Sequence, residues 1–148
     1  LYAYIPLPYV KKIYYLDVNL YRYYIGREGQ SVNESIMTKR IDQQIKVNKM
    51  MIDAHDLLSI KDRKLRQYMI KYLSMMMIVS SALLVNEGST ESLEKRENLW
   101  QYLKQRNKII YNIITRRKFG KPLQMKSKSG KKIIIHGYHL FNRIYGFN

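Results

Sequence analysis

An arginine between two glycines is the first residue of this chain with the surroundings of a binding site. Arg27 lies between Gly26 and Gly29, after an aromatic segment and shortly before Ser31 and Asn33, either of which can cap a helix. Backbone N–H groups, the positive end of a helix dipole and a forked guanidinium would meet there. Together they can bind phosphate or carboxylate oxygens. The same spacing also fits an ordinary strand-to-helix loop with a solvated arginine.

The segment before Arg27 has the pattern of a β-strand with one face in water. Between Tyr9 and Tyr24 the chain is rich in aromatic and β-branched residues, which partly alternate with polar ones such as Asp17 and Asn19. The pattern predicts a strand over residues 14–25, which would place Arg27 at the strand's end.

No other residues form a recognisable catalytic or metal-binding set. The chain has no phosphate-binding GxxxxGKS loop, no HExxH and no nucleophile elbow. His136 and His139 have no acid or cysteine nearby. His55 is expected to lie in the core or at its edge, with Asp53 and Asp56 directed elsewhere. The sequence therefore predicts no metal site and no catalytic residue in this chain.

Helical periodicity follows the candidate loop. Apolar residues recur at helical spacing over residues 33–58, 61–85 and 108–119, and around Leu93, Leu99, Trp100 and Leu103. We therefore predict a mainly α fold, a bundle of about four helices preceded by a strand or extended segment. Gly88 and Ser89 are expected to separate the second helix from the third.

The second helix is predicted to be the central one because it has two apolar stripes. It is uncharged between Tyr72 and Val85, but Lys71 limits that run to about fourteen residues, whereas a membrane span needs roughly twenty. A buried core helix is therefore the favoured interpretation. The stripes consist of Leu65, Met69, Tyr72, Met76, Val79 and Leu83, and of Ile70, Leu73, Met77 and Leu84.

The positive charge is concentrated in the last third of the chain. The formal net charge is +16, and residues 101–148 hold twelve of the 27 Lys and Arg residues and no Asp or Glu. Such a basic tail suits three kinds of partner: an anionic membrane surface, a nucleic acid or an acidic polymer. The absence of cysteine excludes disulfides and thiolate zinc sites, as is compatible with a cytoplasmic chain.

The end of this basic region is predicted to be an amphipathic helix. Ile134, Tyr138, Phe141 and Tyr145 follow helical offsets. One interpretation places this helix on an anionic bilayer surface, and the other docks it on the protein core. The residues expected to contact the membrane surface are Lys131, Lys132, His136, Tyr138, Phe141 and Arg143.

The aromatic segment and the helices after it resemble the end of the catalytic domain in bacterial family 2 glycosyltransferases. In that family a hydrophobic strand leads into a Tyr-rich, Arg-containing turn that closes with a serine and a small hydrophobic residue. The similarity continues through IDQQIKVNKMMIDAHDLL and returns in GKKIIIHGYHLFNRIYGFN. The matching residues of the turn are Tyr21, Tyr23, Tyr24, Gly26, Arg27, Ser31 and Val32.

The resemblance implies that Tyr24, Arg27 and Ser31 form a lip that helps to hold the diphosphate of a nucleotide-sugar donor. It also implies Mn²⁺ or Mg²⁺ and a donor site in a preceding nucleotide-binding portion, whose β-α-β half and Asp-x-Asp motif this sequence lacks. The acceptor would be a lipid-linked or cell-surface glycan, and the enzyme would lie at the cytoplasmic face of the cell membrane. Without that portion the chain by itself is expected to be inactive.

We therefore expect a C-terminal piece of a transferase, since the chain also starts at Leu1 instead of a methionine. Residues 1–32 would end the catalytic domain, 33–119 would form a helical accessory domain, 120–130 a mobile linker and 131–148 the basic tail. Its partners would be the rest of the catalytic domain and anionic lipid. Two other interpretations are a helical dimerisation module and a nucleic-acid-binding domain; against the latter, the tyrosines are not interleaved with the cations of the tail.

Overall fold

The computed structural model describes residues 1–22 and 34–116 of the chain. The described part is mainly helical, as predicted, and consists of a short 3₁₀ turn and five α-helices. The predicted linker and C-terminal helix, residues 120–148, lie outside it. The elements are the 3₁₀ turn Leu7–Tyr9, α1 Glu34–Lys39, α2 Ile41–Ala54, α3 Arg63–Glu87, α4 Thr90–Arg106 and α5 Lys108–Arg116.

Helix α3 is the centre of the bundle, and its ends are set by local chemistry. The Asp62 side chain accepts a hydrogen bond from the Leu65 N–H at 2.8 Å and caps the first turn. At the other end Gly88 has a φ of 79°, and its N–H bonds to the Leu84 carbonyl. Only glycine adopts this left-handed conformation without steric cost, so the helix stops where the sequence predicts. The predicted range, 61–85, differs from the observed range by two residues at each end.

Both predicted apolar stripes of α3 face other helices. The stripe of Ile70, Leu73, Met77 and Leu84 is buried throughout, whereas the other stripe is only partly buried. Helices α1, α2, α4 and α5 all pack against α3. Among the described helices α3 is the one long and apolar enough to cross a membrane, and 61% of its most apolar window is buried inside the bundle. The prediction that it is a core helix is confirmed by this packing.

The predicted single helix over residues 33–58 is wrong, because the structure has two shorter helices there. Helix α1 ends at Lys39, and Arg40 has a non-helical backbone with φ −103° and ψ 19° before α2 begins. The Arg40 N–H is shared between the carbonyls of Ile36 and Met37. After the break, Ile41 packs in a small apolar cluster with Leu83 and Leu84 of α3.

Helix α2 also ends earlier than predicted. His55 is extended, with φ −147° and ψ 141°, and an Asp56 side-chain oxygen then accepts the N–H of Leu58 at 3.1 Å. Aspartate favours such local turns over continued helix. The turn buries Leu57 against the core and leaves Leu58 36% exposed.

Helices α4 and α5 cover one side of α3. Ser89 caps α4 by accepting the Ser92 N–H at 3.1 Å, and Leu99, Trp100 and Leu103 are buried as predicted. The Asn107 side chain accepts the Ile110 N–H at 3.0 Å and starts α5 one residue after α4 ends. The remainder of the predicted fourth helix, residues 117–119, lies outside the described residues.

The N-terminal residues divide into two parts. Residues 1–10, named here the N-terminal turn, pack on the bundle through Tyr4, which is fully buried in the main core cluster. Residues 11–22, named the arm, have no regular secondary structure. The described part of the predicted strand therefore forms no strand, and residues 23–25 lie outside the described part. A strand needs a neighbour to take up its backbone hydrogen bonds, so this element stays a prediction.

Candidate functional site

The predicted donor-binding lip of Tyr24, Arg27 and Ser31 lies outside the described residues. The structure does describe both of its flanks, which are the arm on one side and α1 on the other. Helix α1 packs on α2 and α3, and the N-terminal turn packs on the core cluster to which α3 contributes.

The arm carries an exposed row of large apolar side chains. Tyr14 and Leu20 are 81% and 82% exposed, and Leu16 and Val18, which lie between them in the sequence, are 67% and 59% exposed. Lys11, Lys12 and Arg22 stand at its two ends. Within the described residues the backbone of the arm forms one internal hydrogen bond, from the Leu20 N–H to the Val18 carbonyl. Monomeric proteins rarely leave so large an apolar surface in water.

The N-terminal turn that precedes the arm is held by aromatic contacts. The Tyr4 ring stacks on Tyr72 of α3 with centroids 5.7 Å apart and an interplanar angle of 19°. Tyr72 stacks in turn on Tyr68, one helical turn earlier, at 6.3 Å. The sequence analysis missed Tyr4, because a tyrosine near the start of an aromatic segment carries no periodic signal of burial.

His55 closes this contact from the α2–α3 connection and is not placed for catalysis. Its Nε2 lies 2.9 Å from the Ile5 carbonyl, and its ring lies beside those of Tyr4 and Tyr9 at about 6 Å. Asp53 points to α4 and Asp56 accepts from the Leu58 N–H, so neither neighbouring carboxylate is seen to pair with the imidazole. The prediction that His55 lies at the edge of the core is confirmed.

A second polar cluster joins α2 to α4. The Tyr102 hydroxyl donates to the Asp53 carboxylate at 2.5 Å, and Arg106 Nε lies 3.0 Å from the other oxygen of that carboxylate. The cations of Lys49 and Arg106 both lie within 5.4 Å of the Tyr102 ring centroid. The hydrogen bonds that Arg106 donates to the Tyr102 hydroxyl oxygen, together with the charge of Asp53, raise the pKa of Arg106. The groups satisfy one another, so the cluster is a clamp between helices and not an open binding site.

A polar cleft lies where α1, α3 and α4 meet. Lys95 crosses it, with Nζ 2.8 Å from Glu91 and 2.9 Å from Asp42 of α2. These two carboxylates raise the pKa of Lys95, the hydrogen bond to Glu91 first. All three side chains are partly exposed to water, where solvent screening leaves such pairs with little effect on the stability of the fold. Lys95 is therefore paired with both Asp42 and Glu91.

Arg96 is a buried cation that sequence reasoning did not identify. Its residue is only 6% exposed on α4, and the Nε has no hydrogen-bond partner among the described residues. Burial lowers the pKa of its guanidinium. A buried N–H without a partner costs stability, and nothing in the charge pattern of α4 indicates this placement.

The remaining predictions concern a metal site and a surface that contacts a membrane. Within residues 1–22 and 34–116 no group of three or more His, Cys, Asp or Glu side chains is arranged to hold a metal ion. The residues predicted to contact a membrane surface, Lys131 to Arg143, belong to the part of the chain that the structure does not describe.

Comparison with known protein families, curated proteins and solved structures finds no match to this chain.

Proposed function

We propose that this chain is the C-terminal accessory region of a glycosyltransferase of the family 2 type. The complete enzyme transfers a sugar from a nucleotide-sugar donor to a lipid-linked or cell-surface glycan, as in cell-surface polysaccharide biosynthesis. The helical bundle supports one edge of its active site. The observation that carries this proposal is the exposed arm, which leads directly into the Tyr24–Arg27–Ser31 turn that resembles the family.

The exposure of the arm supports a strand that pairs with a sheet elsewhere in the enzyme. Tyr14, Leu16, Val18 and Leu20 alternate with Tyr15, Asp17 and Asn19, so an extended backbone places four apolar side chains on one face. An extended segment added to a sheet edge gains main-chain hydrogen bonds and buries alternate side chains. Burial of these four would contribute several kcal/mol, at about 1.5–3 kcal/mol for each fully buried side chain.

Arg27 is the residue proposed to act on the donor. A guanidinium at a glycine-flanked turn before a helix start can fork onto two phosphate oxygens. Tyr24 and Ser31 would line the same lip. The divalent metal, Mn²⁺ or Mg²⁺, would bind to acidic residues of the preceding catalytic portion and not to this chain.

The basic tail would hold the enzyme at the inner face of the cell membrane. Residues 101–148 have twelve positive and no negative side chains, and a basic amphipathic helix is attracted to anionic lipid. The enzyme would then be peripheral to the membrane and close to a lipid-linked acceptor.

The test is replacement of Arg27 in the complete enzyme. Arg27→Ala should lower kcat/KM for the nucleotide sugar about 10- to 100-fold, as expected for loss of a hydrogen bond to a charged group worth about 1.5–3 kcal/mol. Arg27→Lys should recover only part of the activity, since an ammonium cannot bind in a forked geometry. Arg63→Ala, at an exposed position at the start of α3, is the matched control.

Unchanged donor affinity and turnover in Arg27→Ala would reject the role of Arg27. A coding sequence upstream that lacks a β-α-β nucleotide domain with an Asp-x-Asp motif would reject the transferase assignment as a whole.

A further inference from the structure

Tyr4 combines complete burial with an unsatisfied hydroxyl. The residue has no solvent exposure, and its hydroxyl has no hydrogen-bond partner among the described residues. Burial raises the pKa of this hydroxyl. Its ring is well packed, since it stacks on Tyr72 and lies beside His55. Packing of the Tyr4 ring therefore stabilises the docked N-terminal turn, whereas burial of the Tyr4 hydroxyl without a partner destabilises it.

The remaining contacts of the turn are mostly local. The N–H groups of Tyr4 and Ile5 both bond to the Leu1 carbonyl at 3.0 Å, and those of Tyr9 and Val10 bond within the 3₁₀ turn. Short turns of this kind are marginal in water without tertiary packing. The long-range polar contact of the turn is the one between His55 Nε2 and the Ile5 carbonyl, at an exposed position. Docking of the turn therefore depends chiefly on Tyr4, supported by half-buried Leu1 and Leu7.

We propose that the N-terminal turn is a reversible latch that fixes the start of the arm at the bundle. In the closed position Tyr4 occupies the core, and the start of the arm is fixed at the bundle. In the open position the Tyr4 hydroxyl regains water, and the start of the arm is released. A phenylalanine would fill the same space without burying an oxygen. The difference in free energy between the closed and open positions is therefore smaller with a tyrosine than it would be with a phenylalanine.

The inference goes beyond the proposed function, because it concerns how the arm is held whatever the arm binds.

Amide hydrogen exchange on the full chain tests the latch. The amides of Tyr4, Ile5, Tyr9 and Val10 should exchange faster than a core amide such as Leu73, because the latch opens without global unfolding. Tyr4→Phe should slow this exchange about 5- to 100-fold, since a buried unsatisfied hydroxyl costs about 1–3 kcal/mol. Tyr9→Phe is the matched control: it removes an exposed hydroxyl beside the same His55 and should change nothing.

A distance measurement separates opening of the latch from local fraying. The chain has no cysteine, so spin labels can be placed at Tyr2→Cys and Asn98→Cys, both exposed positions. Tyr4→Ala should shift the distance distribution toward long values, and Tyr4→Phe should narrow it toward the closed distance. If Tyr4→Ala unfolds the whole chain, Tyr4→Phe alone decides the question.

Two results would overturn the latch. One is exchange of the turn amides at the same rate as Leu73, which would mean that the turn opens only with the whole bundle. The other is exchange in Tyr4→Phe as fast as in the unsubstituted chain, which would mean that the hydroxyl has no cost to relieve.

Discussion

The indole Nε1 of Trp100 donates a hydrogen bond to the Ser81 hydroxyl at 2.9 Å, inside the contact between α4 and α3. The Ser81 hydroxyl in turn donates a hydrogen bond to the Met77 carbonyl oxygen at 2.7 Å. Both side chains are buried. One serine therefore satisfies the tryptophan of a neighbouring helix and a carbonyl of its own helix.

Replacing Ser81 by alanine should lower the free energy of unfolding by about 1–3 kcal/mol, because the Trp100 N–H is left buried without an acceptor. Urea denaturation measures the change. Ser74→Ala removes another buried α3 hydroxyl, which makes no bond to a second helix among the described residues, and should have a smaller effect. In a double-mutant cycle with Trp100→Phe, a coupling energy near zero would contradict a role for this hydrogen bond.

The buried pair of Asn48 and Ser80 should respond asymmetrically to substitution. Asn48 donates to Ser80 at 2.5 Å, but its Oδ1 has no partner among the described residues, whereas Ser80 also bonds to the Met76 carbonyl. Asn48→Leu should therefore be neutral or stabilising, since it removes an unsatisfied oxygen and leaves Ser80 bonded. Ser80→Ala should destabilise by about 1–3 kcal/mol. The opposite order of the two thermal midpoints would disprove this account.

Because of Glu87, the free energy of unfolding should change with pH in the acid range. Its carboxylate accepts hydrogen bonds from the Ser89 hydroxyl and N–H at 2.6 and 3.0 Å, which with Ser92 lower its pKa from the ordinary value of 4.5. The unfolded chain binds the proton at higher pH than the folded chain. The stabilisation is therefore present above pH 4.5 and is lost as the pH falls through the lower folded value.

Denaturation curves between pH 3 and 7 measure this effect. Glu87→Gln should lower stability at neutral pH and flatten the acid dependence, while Glu94→Gln, an exposed glutamate in the next helix, should keep the original slope. An unchanged slope in Glu87→Gln would contradict the lowered pKa.

The basic tail should bind anionic vesicles in a salt-dependent manner. The full chain should sediment with vesicles that contain phosphatidylglycerol, and Lys131→Glu with Lys132→Glu should weaken binding about 10- to 30-fold, at about 1 kcal/mol for each lysine. The charge-matched control is Lys61→Glu with Lys64→Glu, two exposed lysines before and within α3. Tighter binding to single-stranded RNA than to vesicles across the salt series would instead favour a nucleic-acid partner.

Helix identity was predictable where the apolar period was long. The stripes of α3 and the buried side of α4 were found because their residues recur at helical spacing, and Gly88 marks the stop between the two helices. The break at Arg40 was missed, since no glycine or proline is present there and the apolar period continues through it. The early end of α2 was missed for a similar reason: Leu58 fits the period, but the Asp56 turn interrupts the helix first.

The candidate lip was predicted from residue types alone, and tertiary structure decided what surrounds it. Arg27 between two glycines can be read from the sequence, as can the aromatic segment that precedes it. The burial of Tyr4 cannot, because Tyr2, Tyr4 and Tyr9 look alike in sequence, and only packing against Tyr72 and His55 places Tyr4 in the core. The clamp of Asp53, Tyr102 and Arg106 likewise depends on how α2 and α4 meet.

The amino-acid sequence by itself determined the mainly α class, the central place of α3 and the basic character of the last third, since these follow from local periodicity and charge. Tertiary structure alone decided which tyrosine is buried, where the first predicted helix breaks and which polar groups pair across helices. The physical reason is the range of the interactions: periodicity and capping act over a few residues, whereas burial and pairing depend on neighbours distant in the chain.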